Sequence, residues 1–183
     1  MKASFKPKRI LWVDLEMTGL DPAHDEILEI GAIVTDWNFK PLATYEGVVC
    51  HDETKLKDLL DRNAEFWNEN PEARRGLESQ NAHGKPLAEI EQEIIAFCEQ
   101  WLDGEQKILL AGNSVHQDRR FIDQWWPKLS EKLHYRMLDV SAWKVVFEGK
   151  YGKKFAKPEA HRALDDIKGS IDELKYYAKK VKV

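Results

Sequence analysis

The sequence predicts an α/β fold with a mixed central sheet flanked by helices, on three observations. Short apolar runs at residues 10–13, 28–35 and 43–50 come first, and the second and third are close enough to pair as a hairpin. Two further short runs, at 107–111 and 137–140, alternate with stretches of helical periodicity. The composition, 43% hydrophobic and 33% charged over 183 residues, suits one domain (1–183) with a full core.

The first strand runs into Asp14, Leu15 and Glu16, and Gly19 and Pro22 punctuate the turn that follows. Residues 36–38 turn the second strand into the third, giving the sheet an antiparallel beginning. Glu29 falls inside the apolar second strand, where it either reaches a wet face or needs a partner. Residues 52–84 are polar and read as short helices anchored by Leu56, Leu59, Leu60, Phe66, Trp67 and Leu77, with Pro71 suited to a first helical turn. Leu87, Ile90, Ile94, Phe97, Cys98 and Trp101 recur at helical spacing over 86–102.

After the strand at 107–111, Gly112 and Asn113 break the chain, and the pairs Phe121/Trp125 and Ile122/Trp126 mark a helix with Asp118 at its start. Pro127 ends or kinks it. Ser141 is a reasonable N-cap for a helix through Phe147, and 149–157 reads as a basic, solvated loop. The last helix, 160–180, turns Leu164, Ile167, Ile171, Leu174 and Ala178 inward.

Alternate residues of a strand share a side, so Asp14 and Glu16 reach one point. Two like charges held together are costly to bury without a cation, and a hard divalent ion with oxygen ligands would compensate them. At about 100° per residue from Ile167, Asp165 points to solvent and Asp166 lies on the flank of the last helix. Asp118 begins another helix, and ligands of open α/β sheets gather at strand ends. Four carboxylates can therefore converge on two cations that clamp the attacking and leaving oxygens of a phosphoryl transfer. His161, just before Asp166, has a near-neutral reference pKa suited to taking a proton from water.

A net charge of −4 argues against wrapping long duplex nucleic acid and leaves room for a short strand at one small site. Seven tryptophans exceed what packing needs. Cys50 and Cys98 read as reduced small hydrophobes of a cytosolic protein, and no run is long enough to span a membrane. There is no nucleophile elbow, Walker loop or dinucleotide fingerprint, so serine or thiol hydrolysis and nicotinamide chemistry fit poorly.

Asp14-x-Glu16, Asp118, His161 and Asp166 match the four-acid-plus-histidine pattern of the DEDDh 3′–5′ exonucleases, which have the ribonuclease H-like fold. The strings Trp12-Val-Asp-Leu-Glu-Met-Thr-Gly-Leu-Asp-Pro22, Gly112-Asn-Ser-Val-His-Gln-Asp-Arg-Arg-Phe121, His134-Tyr-Arg-Met-Leu-Asp-Val-Ser141 and His161-Arg-Ala-Leu-Asp-Asp-Ile167 resemble the oligoribonuclease branch of that family over essentially the whole chain. The resemblance implies two Mg²⁺ or Mn²⁺ ions held by the four acids, His161 as general base, and nucleoside 5′-monophosphates released from very short single-stranded RNA, especially dinucleotides. It also implies a homodimer. Leu20 and Trp67 would pack on the bases, while Ser114 and Ser141, with Tyr135 and Arg136 from the partner subunit, would cap the 5′ phosphate. Glu72 departs from the family, which often has a histidine there.

Two other functions compete with this reading. One is a DEDDh exonuclease trimming longer single-stranded RNA or DNA, which a basic track leading to the site would favour. The other is a non-catalytic nucleotide-binding module, against which the presence of all five residues argues.

Overall fold

In the computed structural model, which describes residues 5–104, 106–156 and 162–181, the chain forms a five-stranded sheet with helices on both faces. The strands are β1 (Ile10–Met17), β2 (Ile27–Thr35), β3 (Pro41–Val48), β4 (Ile108–Gly112) and β5 (Leu133–Asp139), in spatial order β3-β2-β1-β4-β5. β1, β2 and β3 pair antiparallel, whereas β4 and β5 join parallel to β1, so the sheet is mixed as expected.

The polar stretch after β3 folds into α1 (Glu53–Arg62), α2 (Ala64–Glu69) and α3 (Pro71–Asn81). Asp52 caps α1 by accepting from Thr54 N and Lys55 N, and Pro71 opens α3, where its missing N–H costs no bond. The rest comprises α4 (Leu87–Trp101), α5 (His116–Trp125), α6 (Pro127–Lys132), α7 (Val140–Tyr151) and α8 (Ala163–Ala178). None of the described helices is long and apolar enough to cross a membrane. Both cysteines are free; Cys98 is buried, but Cys50 is exposed and is not a core hydrophobe.

Strand alternation sorts the core into two layers. Leu11, Val13 and Leu15 pack with Ile90 and Ile94 of α4 and Phe121 and Ile122 of α5. Ile10 and Trp12 face the other way, against Ile167, Ile171 and Leu174 of α8. The Trp12 indole N–H donates to Thr35 Oγ1 at 2.9 Å, satisfying both buried polar groups in that layer.

Two local expectations change. Phe66 is 46% exposed and is not a buried anchor. α7 begins at Val140 and is capped by Asp139, whose carboxylate accepts from Ser141 N at 2.9 Å. A carboxylate on the preceding residue thus takes the capping role and leaves the Ser141 hydroxyl available elsewhere. α7 also runs on to Tyr151, where Gly152 at φ 60° closes it in the left-handed conformation that glycine adopts without penalty.

Candidate metal centre and substrate site

Asp14 and Glu16 continue the Ile10–Trp12 row on the α8 side of β1, beyond the apolar cover that Ile167, Ile171 and Leu174 supply. Opposite them on β2 stand Gly31 and Glu29, paired with Asp14 and Glu16 respectively. Gly31 lets α8 arrive: a β-carbon there would lie 2.9 Å from the backbone of Ala163 and Leu164, closer than packed atoms tolerate. The first turns of α8 therefore rest directly on the strand. The pitch of the helix leaves Asp165 exposed and sets Asp166 on the flank, as its angular position requires.

Ligand oxygens of Asp14, Glu16 and Asp166 all come within 4.8 Å of one another. Their mutual repulsion shows in Glu16, whose pKa is pushed to about 8, first by burial and then by the charges of Asp14, Glu29 and Asp166. Asp118, in the first turn of α5, approaches from the opposite layer and is buried; its Oδ1 accepts from Leu15 N–H at 2.9 Å. Burial, followed by the Asp14 charge, holds its carboxyl well above the ordinary range. Three carboxylates converging on one point, with a fourth beside them, form an all-oxygen donor set. Hard divalent cations fit it, and their charge would reverse the perturbation of Glu16.

Glu29 has a partner, which resolves the alternative left open by the sequence. It is 1% exposed, and its Oε2 accepts from Gln80 Nε2 at 3.0 Å and pairs with the Arg162 guanidinium at 3.4 Å. Arg162 also donates to Gln80 Oε1 at 2.6 Å, and its backbone N–H donates to Asp166 Oδ2 at 3.2 Å. A chain of polar contacts thus ties β2 and α3 to the start of α8. The signal for Glu29 was present, a carboxylate amid aliphatics; nothing in the sequence named Gln80 or Gly31. His161 lies outside the described residues. His116 sits with a mostly exposed ring, its Nδ1 3.6 Å from Asp139 Oδ2.

At the end of β1 opens a cavity of about 300 Å³ lined by Glu16, Met17, Thr18, Leu20, Asn63 and Phe66. Leu20 is 64% exposed at its rim. Trp67 is only 1% exposed: it packs with Leu28, Leu56, Leu60 and Leu77, and its indole N–H donates to Thr18 O at 3.3 Å. It presents no ring face to a base, and the neighbouring aromatic at the cavity is Phe66.

Ser114 and Ser141 come together, their hydroxyl oxygens 3.0 Å apart. Ser114 holds a left-handed φ of 48°, stabilised by its N–H donating to Asp139 Oδ1 at 3.0 Å and Ser141 Oγ at 2.8 Å. Tyr135 and Arg136 are exposed on the edge strand β5, the guanidinium 5.5 Å from the tyrosine ring centroid. Glu72 is exposed in the first turn of α3.

The exonuclease family profile matches residues 11–174. The chain is 39% identical to the oligoribonuclease of Chromobacterium violaceum over 172 residues, covering 92% of each chain. It is 38% identical to that of Neisseria meningitidis serogroup C over 174 residues, covering 92% of this chain and 89% of the relative. Against the oligoribonuclease of Pseudomonas aeruginosa (PAO1) the figure is 37% over 175 residues, or 93% and 94% of the two chains. Among solved structures, E. coli exonuclease I in complex with an oligonucleotide superposes with a TM-score of 0.64 at 13% identity. That match covers 96% of this chain and 41% of the larger one, and it shows a shared fold.

Proposed function

This chain belongs to the exonuclease family, with oligoribonucleases as near-full-length relatives, and from that membership and its carboxylate site we infer that it is a 3′–5′ exoribonuclease of the oligoribonuclease type. The observation that carries the inference is the meeting of Asp14, Glu16 and Asp166 within 4.8 Å at the end of the central strand. Residues 1–183 act as one exonuclease domain. Its substrates are very short single-stranded RNAs, dinucleotides above all, and its products are nucleoside 5′-monophosphates.

Asp14, Glu16, Asp118 and Asp166 are the residues to hold two Mg²⁺ or Mn²⁺ ions. When bound, such cations neutralise the scissile phosphate and support both the attacking and the leaving oxygen. Glu16 must release the proton that its crowded surroundings favour, which makes metal binding proton-coupled. Asp118 steadies the Leu15 backbone between the two acids of β1. His161 takes the proton of the attacking water.

Bases rest on Leu20 and Phe66, while Trp67 supports this surface from beneath through its bond to Thr18 O. Ser114 and Ser141 donate to the 5′ phosphate, joined by Tyr135 and Arg136 of a second copy. The apolar surface of β5 and α7 supports that pairing: Tyr135, Met137, Val145, Val146 and Tyr151 are all exposed on the edge strand and its following helix.

The test is a time course with labelled RNAs of two to about ten nucleotides, a span near one single-strand footprint, with Mg²⁺, Mn²⁺ or chelator. Mononucleotides should leave the 3′ end, dinucleotides should be consumed fastest, and chelator should stop the reaction. His161→Ala should lose turnover by a factor of 10² or more, as for a general base, while still binding metal. Unchanged turnover in that variant, or equal rates at every length, overturns the assignment.

A further inference from the structure

Glu29 keeps one oxygen unused. Oε2 is taken by Gln80 and Arg162, but Oε1 is buried and, among the described residues, meets no donor. Arg162 Nε is left in the same state, because the guanidinium approaches Oε2 at 3.4 Å through one nitrogen instead of gripping both oxygens as a fork. A buried carboxylate oxygen without a partner is costly, and its charge makes it a strong acceptor.

The register sets Glu29 beside the carboxylate cluster. It stands directly opposite Glu16 in the antiparallel pair of β1 and β2, and directly opposed residues present their side chains on one face of the sheet. Its partners belong to that face as well. Arg162 precedes α8 and gives its backbone N–H to Asp166 Oδ2, while Gln80 closes the corner from α3. Glu29 is not itself part of the group of ligand atoms, for Asp14, Glu16 and Asp166 meet within 4.8 Å without it.

A hard cation held by carboxylates keeps part of its water shell, magnesium above all. Water polarised by a cation is a strong donor, whereas ionised aspartate and glutamate only accept. We propose that Glu29 is a positioning residue of the metal centre, its Oε1 accepting from a water on the bound cation while Gln80 and Arg162 lock the carboxylate in place. The inference rests on the metal site of the exoribonuclease reading and adds to it a fifth carboxylate, one that touches the water and not the ion.

The experiment is calorimetric titration of Mg²⁺ and Mn²⁺ into the wild type, Glu29→Gln, the double variant Glu29→Met/Arg162→Met and Glu91→Gln, with Tm in chelator and dinucleotide kinetics measured alongside. Gln80 Nε2 and Arg162 both donate at the Oε2 position, so Glu29→Gln sets its carbonyl there and its N–H₂ at the Oε1 position. An acceptor is thus exchanged for a donor at nearly constant volume. Kd for both ions should rise about 10- to 100-fold, as for loss of an outer-shell partner. The Mg²⁺ concentration giving half-maximal turnover should rise by the same factor, with KM for the dinucleotide within about twofold. The double variant removes the pair without stranding a buried charge and should show the same loss. Glu91, a buried carboxylate in the other core layer whose Oε1 accepts from the N–H groups of Lys128 and Leu129, should keep wild-type affinity when made glutamine.

If the pair only braces the fold, Glu29→Gln lowers Tm in chelator and leaves Kd within twofold of wild type; that result overturns the proposal. So does unchanged affinity in the double variant, an equal loss in Glu91→Gln, or a wild type that binds neither ion. A wild type that binds metal but cleaves no RNA removes the exoribonuclease reading alone, and the titrations still decide Glu29.

Discussion

Gly31→Ala tests the idea that the carboxylate cluster of Asp14, Glu16 and Asp166 forms because α8 touches the sheet. The added methyl would sit 2.9 Å from backbone atoms of Ala163 and Leu164, whereas carbon atoms pack at about 3.5 Å or more. Backbone cannot swing aside as a flexible side chain does, so the start of α8 must retreat by about 0.6 Å, carrying Asp166 with it. Overpacking of this kind costs about 1–3 kcal/mol, offset by about 0.5–1 kcal/mol because alanine narrows the unfolded ensemble. The net loss of about 1–2 kcal/mol should lower Tm by roughly 3–6 °C for a chain of this length. The effect on kcat should be larger, about 10- to 100-fold, since displacements approaching 1 Å spoil alignment of reacting groups. Differential scanning calorimetry with chelator, magnesium titration and dinucleotide kinetics read the three quantities. Gly76→Ala is the control, because a β-carbon there meets nothing within 4 Å. A Gly31→Ala enzyme with kcat within twofold of wild type would refute the close-approach argument, whatever its Tm.

Glu16 makes a pH prediction for the chelated protein. Its carboxyl keeps its proton up to about pH 8 when folded but loses it near 4.5 when unfolded, so the folded state holds the extra proton between these values. That contribution is fully present below pH 4.5 and is lost as pH rises through 8, a change on the order of a few kcal/mol. Tm in chelator should therefore fall between pH 5 and 8.5, and Glu16→Gln should flatten the slope; parallel slopes would count against the burial argument. Added Mg²⁺ should recover more stability at pH 8.5 than at pH 5, with proton release measurable at pH 7. Phe66→Ala and Trp67→Ala should separate substrate grip from folding. The first should raise KM with little change in Tm, and the second should cost about 3–5 kcal/mol of stability. Similar unfolding curves for the two would contradict the placement of Trp67 in the core.

Much of this molecule was legible in local patterns. Strand alternation alone puts Asp14 and Glu16 on one side of β1, and helical pitch alone separates Asp165 from Asp166, because each relation spans only a few residues of regular backbone. The same periodicities identify the inward faces of the longer helices α4 and α8. What depended on chain segments far apart was decided only by the tertiary structure. In a helix as short as α2 the pattern cannot say which of two adjacent aromatics turns inward, and contact with Leu28 and the Thr18 carbonyl selects Trp67 over Phe66. Whether Asp139 or Ser141 caps α7 depends on where the helix begins: it starts at Val140, so the Asp139 carboxylate takes the Ser141 N–H, and the Ser141 hydroxyl lies beside Ser114. Glu29, Gln80 and Arg162 find one another across three elements, and the absent side chain of Gly31 sets how near α8 can come. Periodicity along the chain determines which way a side chain faces; the distance between two faces depends on the atoms that fill, or leave open, the space between them.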